Sequence, residues 1–422
     1  MLKYLLKMLK IKNGLNKLKN IVHREEKEES PQKTYLKESY NNFILHYNEP
    51  KKALLRDIDN IKNCKTPHHE RDFIWLFFLG IIPFKHPEKW QKILSEERAK
   101  YLSLKQKYIT KDVNDFIELK RVNEPYKYDG YKQILSKEEF DLLNLIKVDA
   151  ERTYQEKEIF LNEEIRKKLI YALYVYAKEY PNYGYKQGMN DLCGVFLYVL
   201  NKDYTYDEDF EKDTLSCTYS IFHSNNCFLE HDLYLLFSKF MNKGISDFFL
   251  YNTIQYKKSF LSSKTFEEKM NLSIDDIYKC DDCDLKKRVY ILYYKRFQNI
   301  DNHFYELLVG NVEPELFLTR WYLCVFTREF KLDQIMNLWD LIILYEFVES
   351  KLYKDKKLMW HYNMMDCIAL SMLLNCKPDV AKKEDINELM SSIMHYPTNI
   401  PIEKITKTAL EIYLKINPEI NI

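Results

Sequence analysis

The chain has 422 residues, more than a single hydrophobic core usually absorbs, so two packed subdomains or one large helical domain are expected. Its 64 basic and 63 acidic residues nearly cancel, which removes the overall positive footprint of a general nucleic-acid binder and leaves no nucleic acid among the expected partners. The nine cysteines are scattered through apolar or helical contexts rather than set in a dense disulfide framework, which points to a reducing intracellular compartment. With only 8 glycines and 12 prolines, and long stretches of helical period, the fold class expected is all-α.

In chain order, residues 1–22 come first. Leu2, Leu5, Leu6 and Leu9 form an apolar stripe beside six lysines and no acid, the signature of a basic amphipathic helix that contacts a membrane surface. Residues 23–50 form a polar linker. Two helical subdomains are expected next, 51–225 and 226–422. The longest apolar run, Phe73 to Phe84, is broken by Gly80 and Pro83 and falls short of the roughly 20 residues that cross a bilayer. No transmembrane helix and no secretory signal are expected. The expected location is cytoplasmic, and peripheral on endomembranes where residues 1–22 make their contact.

Between Asn162 and Tyr180 the residues Ile165, Leu169, Leu173, Tyr176 and Tyr180 recur at steps of three and four, one face of a helix with Asn162 as cap and Pro181 as stop. Similar spacing predicts helices over 87–109, 186–201, 208–226, 229–242, 285–301, 314–328, 333–346, 359–376 and 402–415. The polar stretch Lys257 to Lys287 reads as a loop or short helices between the subdomains.

Self-contained catalysis finds no support. The chain has no phosphate-cradling glycine loop ending in Gly-Lys-Ser/Thr, no His-Glu-x-x-His and no Gly-x-Ser-x-Gly elbow. Cys280-Asp-Asp-Cys283 has a zinc-like spacing, but no second paired knuckle accompanies it, so it reads as a loop with free thiols and no metal is expected.

Three segments carry more. They are Arg71-Asp-Phe-Ile-Trp75-Leu-Phe-Phe-Leu-Gly80, Ile146-Lys-Val-Asp149-Ala-Glu-Arg152-Thr153 and Tyr185-Lys-Gln187-Gly188-Met189-Asn190-Asp191. Singly, each has a bland reading: a helix with a core tryptophan, a salt-bridged Asp–Arg pair, a glycine-assisted helix start. Together and in order they resemble the TBC domain of Rab GTPase-activating proteins, with Phe78 in place of the first leucine of its Leu-Leu-Gly. Val312 to Trp321, Arg328-Glu-Phe-Lys-Leu-Asp333 and Leu338-Trp339-Asp340 look like the carboxy-terminal half of that family, with Lys331 where many members carry proline. Glu230-His231-Asp232 is similar to one of its subgroups. The resemblance covers about residues 65 to 350.

The resemblance implies that Arg152 is an arginine finger and Gln187 a glutamine finger, both supplied in trans to the nucleotide site of a Rab-type GTPase. The chain would then be no self-contained catalyst and would bind no cofactor itself, GTP and Mg2+ residing on the partner. The physical logic stands apart from the name. Phosphoryl transfer spreads negative charge over the γ-phosphoryl group and its leaving oxygen, and a bare GTPase has too few donors and a poorly placed water. A guanidinium is always charged and forks to two oxygens. A neutral amide donates and accepts at once, so it can orient a water.

Asp149 is expected to hold the Arg152 guanidinium or its backbone, and Thr153 belongs to the same motif. Gly188 and Met189 are expected to allow close backbone approach, while Tyr185, Asn190 and Asp191 hold the glutamine loop. Arg71, Trp75 and Gly80 read as architecture. The competing reading is a catalytically silent TBC module that docks a Rab or a trafficking complex. A helix over 163–180 covers about 27 Å. Residues 153–162, run back extended at ~3.3 Å each, would bring Arg152 near the turn at Pro181.

Overall fold

The computed structural model describes residues 50–67, 70–84, 89–119, 125–203, 228–252, 259–352, 363–383, 385–397 and 399–417. Apart from Pro50, the expected basic helix 1–22 and linker 23–50 lie outside these residues, as do the helix expected over 208–226 and the boundary expected at 225. The described helices of the first half are α1 (Pro50–Lys62), α2 (Arg71–Phe78), α3 (Trp90–Tyr108), α4 (Lys111–Glu118), α5 (Pro125–Ile134), α6 (Lys137–Glu151), α7 (Glu163–Glu179) and α8 (Met189–Asp203). Those of the second half are α9 (Leu229–Phe240), α10 (Asp284–Ile291), α11 (Leu332–Leu352), α12 (Asn363–Val380), α13 (Ile386–Met394) and α14 (Ile402–Ile416). Between α9 and α10 lie short helices at Phe260–Ser263, Phe266–Asn271 and Ile274–Lys279. The fold is all-α, and no strand occurs among the described residues.

Local chemistry explains where the helices around the site start. The Asn162 side chain accepts from the backbone N–H of Glu164 at 2.9 Å and of Ile165 at 3.3 Å, which starts α7. Ser136 does the same for α6 through the N–H of Glu139 at 3.2 Å, with Glu138 and Glu139 in the favourable first turn. α7 is more central than its one-faced pattern suggests, because every residue from Leu169 to Ala177 is buried. It packs against α3, α4, α6, α8 and α9 at once.

An aromatic cluster joins the early helices to α11. The Trp339 ring stacks on Phe240 at 4.8 Å and meets Phe196 at 5.1 Å, while Trp75 meets Phe196 edge-on at 5.4 Å. Rings in these geometries contribute about 0.5–1.5 kcal/mol per pair beyond burial. Beside them the buried Asp340 carboxylate accepts Arg71 Nε at 3.1 Å, Arg71 Nη2 at 3.0 Å and the Trp75 indole N–H at 2.7 Å. Arg71 and Trp75 therefore bolt α2 to α11. Gly80, at φ +74°, follows the end of α2.

The helices after 355 close on the same body. The Ser371 hydroxyl donates to Ile405 O at 2.8 Å, the Tyr413 hydroxyl donates to Glu349 Oε1 at 2.9 Å, and the Cys64 thiol meets Thr406 Oγ1 at 3.3 Å, which ties α14 back to the end of α1.

Two expected helices need correction. The one expected over 186–201 begins at Met189, because Lys186 to Gly188 form a turn in which Gly188 takes φ +103°. The one expected over 314–328 breaks into a 3-10 turn at Pro314–Leu316 and a helix at Leu318–Leu323, then stops. Val325 and Phe326 adopt φ +43° and +64°, and the Trp339 indole holds the Val325 carbonyl at 3.1 Å. Apolar period marks residues 324–328 as helical, but tertiary contacts impose a left-handed turn that period cannot reveal. The helix over 285–301 runs as expected except for a wide π turn at Leu292–Arg296.

Candidate functional site

The site begins at the carboxyl end of α6, where the Asp149 carboxylate is almost completely buried and shared between two chain segments. One oxygen binds Arg152 Nη2 at 2.5 Å, and the other accepts the Tyr185 hydroxyl at 2.7 Å. The Arg152 side chain remains 48% exposed, so most of its five N–H donors stay available to a second molecule. Arg152 is also the C-cap of α6, with its N–H bonded to Asp149 O at 3.2 Å. The residue is thus fixed at its backbone and through one terminal nitrogen, with about half of its side chain exposed.

The loop before α8 hangs from the same network. The Asn190 amide donates to Thr153 Oγ1 at 2.9 Å, and its oxygen accepts the Gly188 N–H at 3.1 Å and the Tyr185 hydroxyl at 3.3 Å. Thr153 in turn donates to Asp149 O at 2.8 Å. These bonds clamp both sides of Gln187, whose own side chain is exposed. Gly188 needs its missing Cβ for its φ and not for space, since an added Cβ would lie no nearer than 3.8 Å to Cys324 Sγ. Met189 is fully buried, so it secures the helix start as a core residue rather than easing backbone approach.

Residues 152–162 do run from this network to the start of α7, though not extended as expected. They fold into turns and a 3-10 turn at Glu158–Leu161, with backbone bonds such as Lys157 N to Tyr154 O at 2.9 Å. The segment lies along α8: the Tyr154 hydroxyl donates to Asp191 O at 3.2 Å, and the Lys157 ammonium sits 5.3 Å above the Tyr198 ring. Gly194 makes this contact feasible. A Cβ there would stand 2.8 Å from the Tyr154 ring and 2.9 Å from Thr153 Cγ2.

A groove of about 580 Å³ opens beside Gln187, lined also by Lys186, Phe249, Arg320, Cys324 and Arg328. Its wall is basic. Arg320 is bound to Glu329 by two bonds of 2.9 and 3.1 Å, and Arg328 Nε donates to Asp191 Oδ2 at 3.0 Å. Burial pushes the Asp191 carboxyl above its usual range, and the adjacent Arg328 guanidinium pulls it back down. Burial also raises the Tyr185 hydroxyl, reinforced by its bond to Asp149, so it stays a donor. The Cys324 thiol is pushed up to about 12 by burial and is neutral.

The arrangement presents a guanidinium and a primary amide from one buried hydrogen-bonded base, on an exposed edge next to a basic groove. No group there can act as a nucleophile on its own account, and among the described residues no cluster of His, Cys, Asp and Glu could hold a metal ion.

The Rab-GTPase-TBC domain profile matches residues 68–279 and 245–355. The chain belongs to the Rab-GTPase-TBC family. It is 25% identical over 340 residues to mouse "TBC1 domain family member 5", a match covering 78% of this chain and 38% of the mouse protein. It is also 25% identical over 287 residues to the "GTPase-activating protein GYP1" of Saccharomyces cerevisiae, covering 67% of this chain and 38% of that protein. The chain therefore spans under two fifths of the length of these relatives. The crystal structure of the Ypt/Rab-GAP domain of Gyp1p superposes with a TM-score of 0.56 at 16% identity, over 86% of this chain and 93% of that domain, a likeness of fold. Among the described residues no helix is long and apolar enough to cross a membrane.

Sequence reasoning singled out Arg152, Asp149, Thr153, Tyr185, Asn190 and Asp191, which are joined by hydrogen bonds, and Gln187, whose exposed side chain stands in the loop that the network holds. Arg71, Trp75 and Gly80 lie apart from it, in the α2–α11 joint. Three residues of the site were missed: Tyr154, Gly194 and Arg328. Only Arg328 had a signal, since it opens the Arg328-Glu-Phe motif.

Proposed function

We propose that this protein is a GTPase activator for a Rab-type small GTPase, inserting Arg152 and Gln187 into the partner's nucleotide site. The observation that carries the reading is the single buried Asp149 carboxylate, which binds the Arg152 guanidinium with one oxygen and the Tyr185 hydroxyl of the glutamine loop with the other. That sharing ties the segment carrying Arg152 to the loop carrying Gln187 before any partner arrives. Preorganised donors cost little reorganisation at the moment of reaction, which is where most electrostatic catalysis arises. Arg152 would meet the charge developing on the γ-phosphoryl oxygens, and the Gln187 amide would orient the attacking water.

The partner supplies GTP and Mg2+, and this chain supplies the missing donors. Membership of the Rab-GTPase-TBC family and the likeness to the Gyp1p domain support a Rab as the partner. The test is single-turnover GTP hydrolysis across a panel of purified Rab proteins, with wild type beside Arg152→Ala and Gln187→Ala. Acceleration of one or a few Rabs, abolished by both substitutions, is expected. A folded protein that binds a Rab without accelerating it would sink the catalytic reading and leave a docking module.

A further inference from the structure

We propose that Arg328 is a positioning residue for the glutamine loop, acting through Asp191 and Asn190, so that GTPase activation depends on a second arginine that does not reach the nucleotide. The inference rests on the activator reading above for its catalytic consequence, but not for its structural one.

The bonds form one chain. Arg328 Nε donates to Asp191 Oδ2 at 3.0 Å, and Asp191 Oδ1 accepts the Asn190 amide at 2.8 Å. The Asn190 oxygen then accepts the N–H of Gly188, the residue after Gln187, at 3.1 Å. Asp191 is the critical link. Its side chain is only 15% exposed, so loss of Arg328 would leave a mostly buried carboxylate with no cation bound to it. An exposed ion pair is ordinarily worth little, but this one closes a network whose other members are buried.

The turn that carries Arg328 is built at a cost. Among the described residues four non-glycines have positive φ, and three of them, Tyr154, Val325 and Phe326, flank this site. Backbone held in such regions persists only where the surroundings over-determine it. Here the Trp339 indole fixes the Val325 carbonyl, the Tyr322 carbonyl accepts the Val325 N–H at 3.1 Å, and the Arg320–Glu329 pair clamps the far side. Arg320, Glu329 and Trp339 therefore converge on one product, a strained turn that aims Arg328 at Asp191. The arginine finger needs no such device, since Asp149 holds it directly.

The test uses the full chain as wild type, Arg328→Ala and Arg328→Lys, with two readouts. Hydrogen exchange followed by mass spectrometry reports on the segment 183–190 without any partner. Arg328→Ala should speed exchange there about tenfold, the scale of one charge-assisted hydrogen bond, while α7 and α12 keep wild-type protection. Arg328→Lys keeps a cation able to donate to Asp191 and should recover most of that protection. In single-turnover hydrolysis Arg328→Ala should lower the maximal rate about tenfold or more with the half-saturating concentration changed less than threefold. Exchange over 183–190 unchanged in Arg328→Ala would overturn the proposal, as would faster exchange spread over the whole chain in both variants. If wild type accelerates no Rab, the activator reading fails, and the exchange result alone decides the role of Arg328.

Discussion

Two Arg–Asp pairs in this molecule share their residue types and differ in what they do. Arg71 and Asp340 have side chains 2% and 1% exposed, whereas Arg152 and Asp149 are 48% and 1% exposed. In the first pair both charges are buried and the guanidinium is used up by Asp340, Asn337 and backbone Thr66. In the second only the carboxylate is buried, and the guanidinium is offered outward. A buried pair holds two helices together and is costly to break singly. A pair with one end in water holds a donor still, which has value only when something comes to receive it.

The largest expected separation is catalytic. Arg152→Ala should slow activated GTP hydrolysis by about 10³–10⁵, the worth of an arginine finger, and leave the melting temperature near wild type. Arg152→Lys should fall close behind it, because lysine cannot fork to two oxygens. A melt lowered as far as the activity would erase the contrast and return Arg152 to architecture. Arg71→Met makes the opposite test. It should cost about 3–5 kcal/mol in urea unfolding by stranding Asp340, with hydrolysis per folded molecule unchanged. Full stability in that variant would show that Asp340 is satisfied by Trp75 alone.

A third buried carboxylate sharpens the comparison, because among the described residues no cation is bound to it. Asp72 lies beside Arg71, its Oδ1 meets no hydrogen-bond donor among the described residues, and burial pushes its pKa to about 7 from an ordinary 3.8. A carboxyl raised in the folded state adds stability that is full below about pH 3.8 and is lost as pH rises through about 7. Asp72→Asn stays neutral, so it should be more stable than wild type at pH 8 by about 1–3 kcal/mol, an advantage that shrinks toward pH 5. Melts of both proteins at the two pH values check the slope, and equal curves would contradict it. The smallest effect is expected of Tyr185→Phe, which removes one bond to Asp149. It should slow hydrolysis by about tenfold or less, with little loss of stability, and paired kinetics and melts measure both.

How far sequence reading reached follows from the same contrast. Where residue type dictates local structure, as in Asn162 capping α7, the pattern could be read directly. α6 was missed, although Ser136 followed by two glutamates and by Phe140, Leu143, Ile146 and Ala150 is a helix signal. The strained turn at Val325 and Phe326 was not readable at all. Nothing in a β-branched or aromatic residue announces a left-handed backbone, and the indole that holds it comes from a helix that starts later in the chain. Arg152 and Gln187 were singled out through family resemblance, but the buried carboxylate shared by Arg152 and Tyr185 needed coordinates, because the two ligands lie 33 positions apart in sequence (185 − 152).

Gly194 carries a consequence for the segment that bears Arg152. A side chain there has nowhere to go except into Thr153 and Tyr154, the two residues following the arginine. A single methyl group would act as a wedge, lifting the arginine segment off α8 while every charge and every donor stayed in place. The position of the guanidinium is thus gauged by an empty volume in a neighbouring helix.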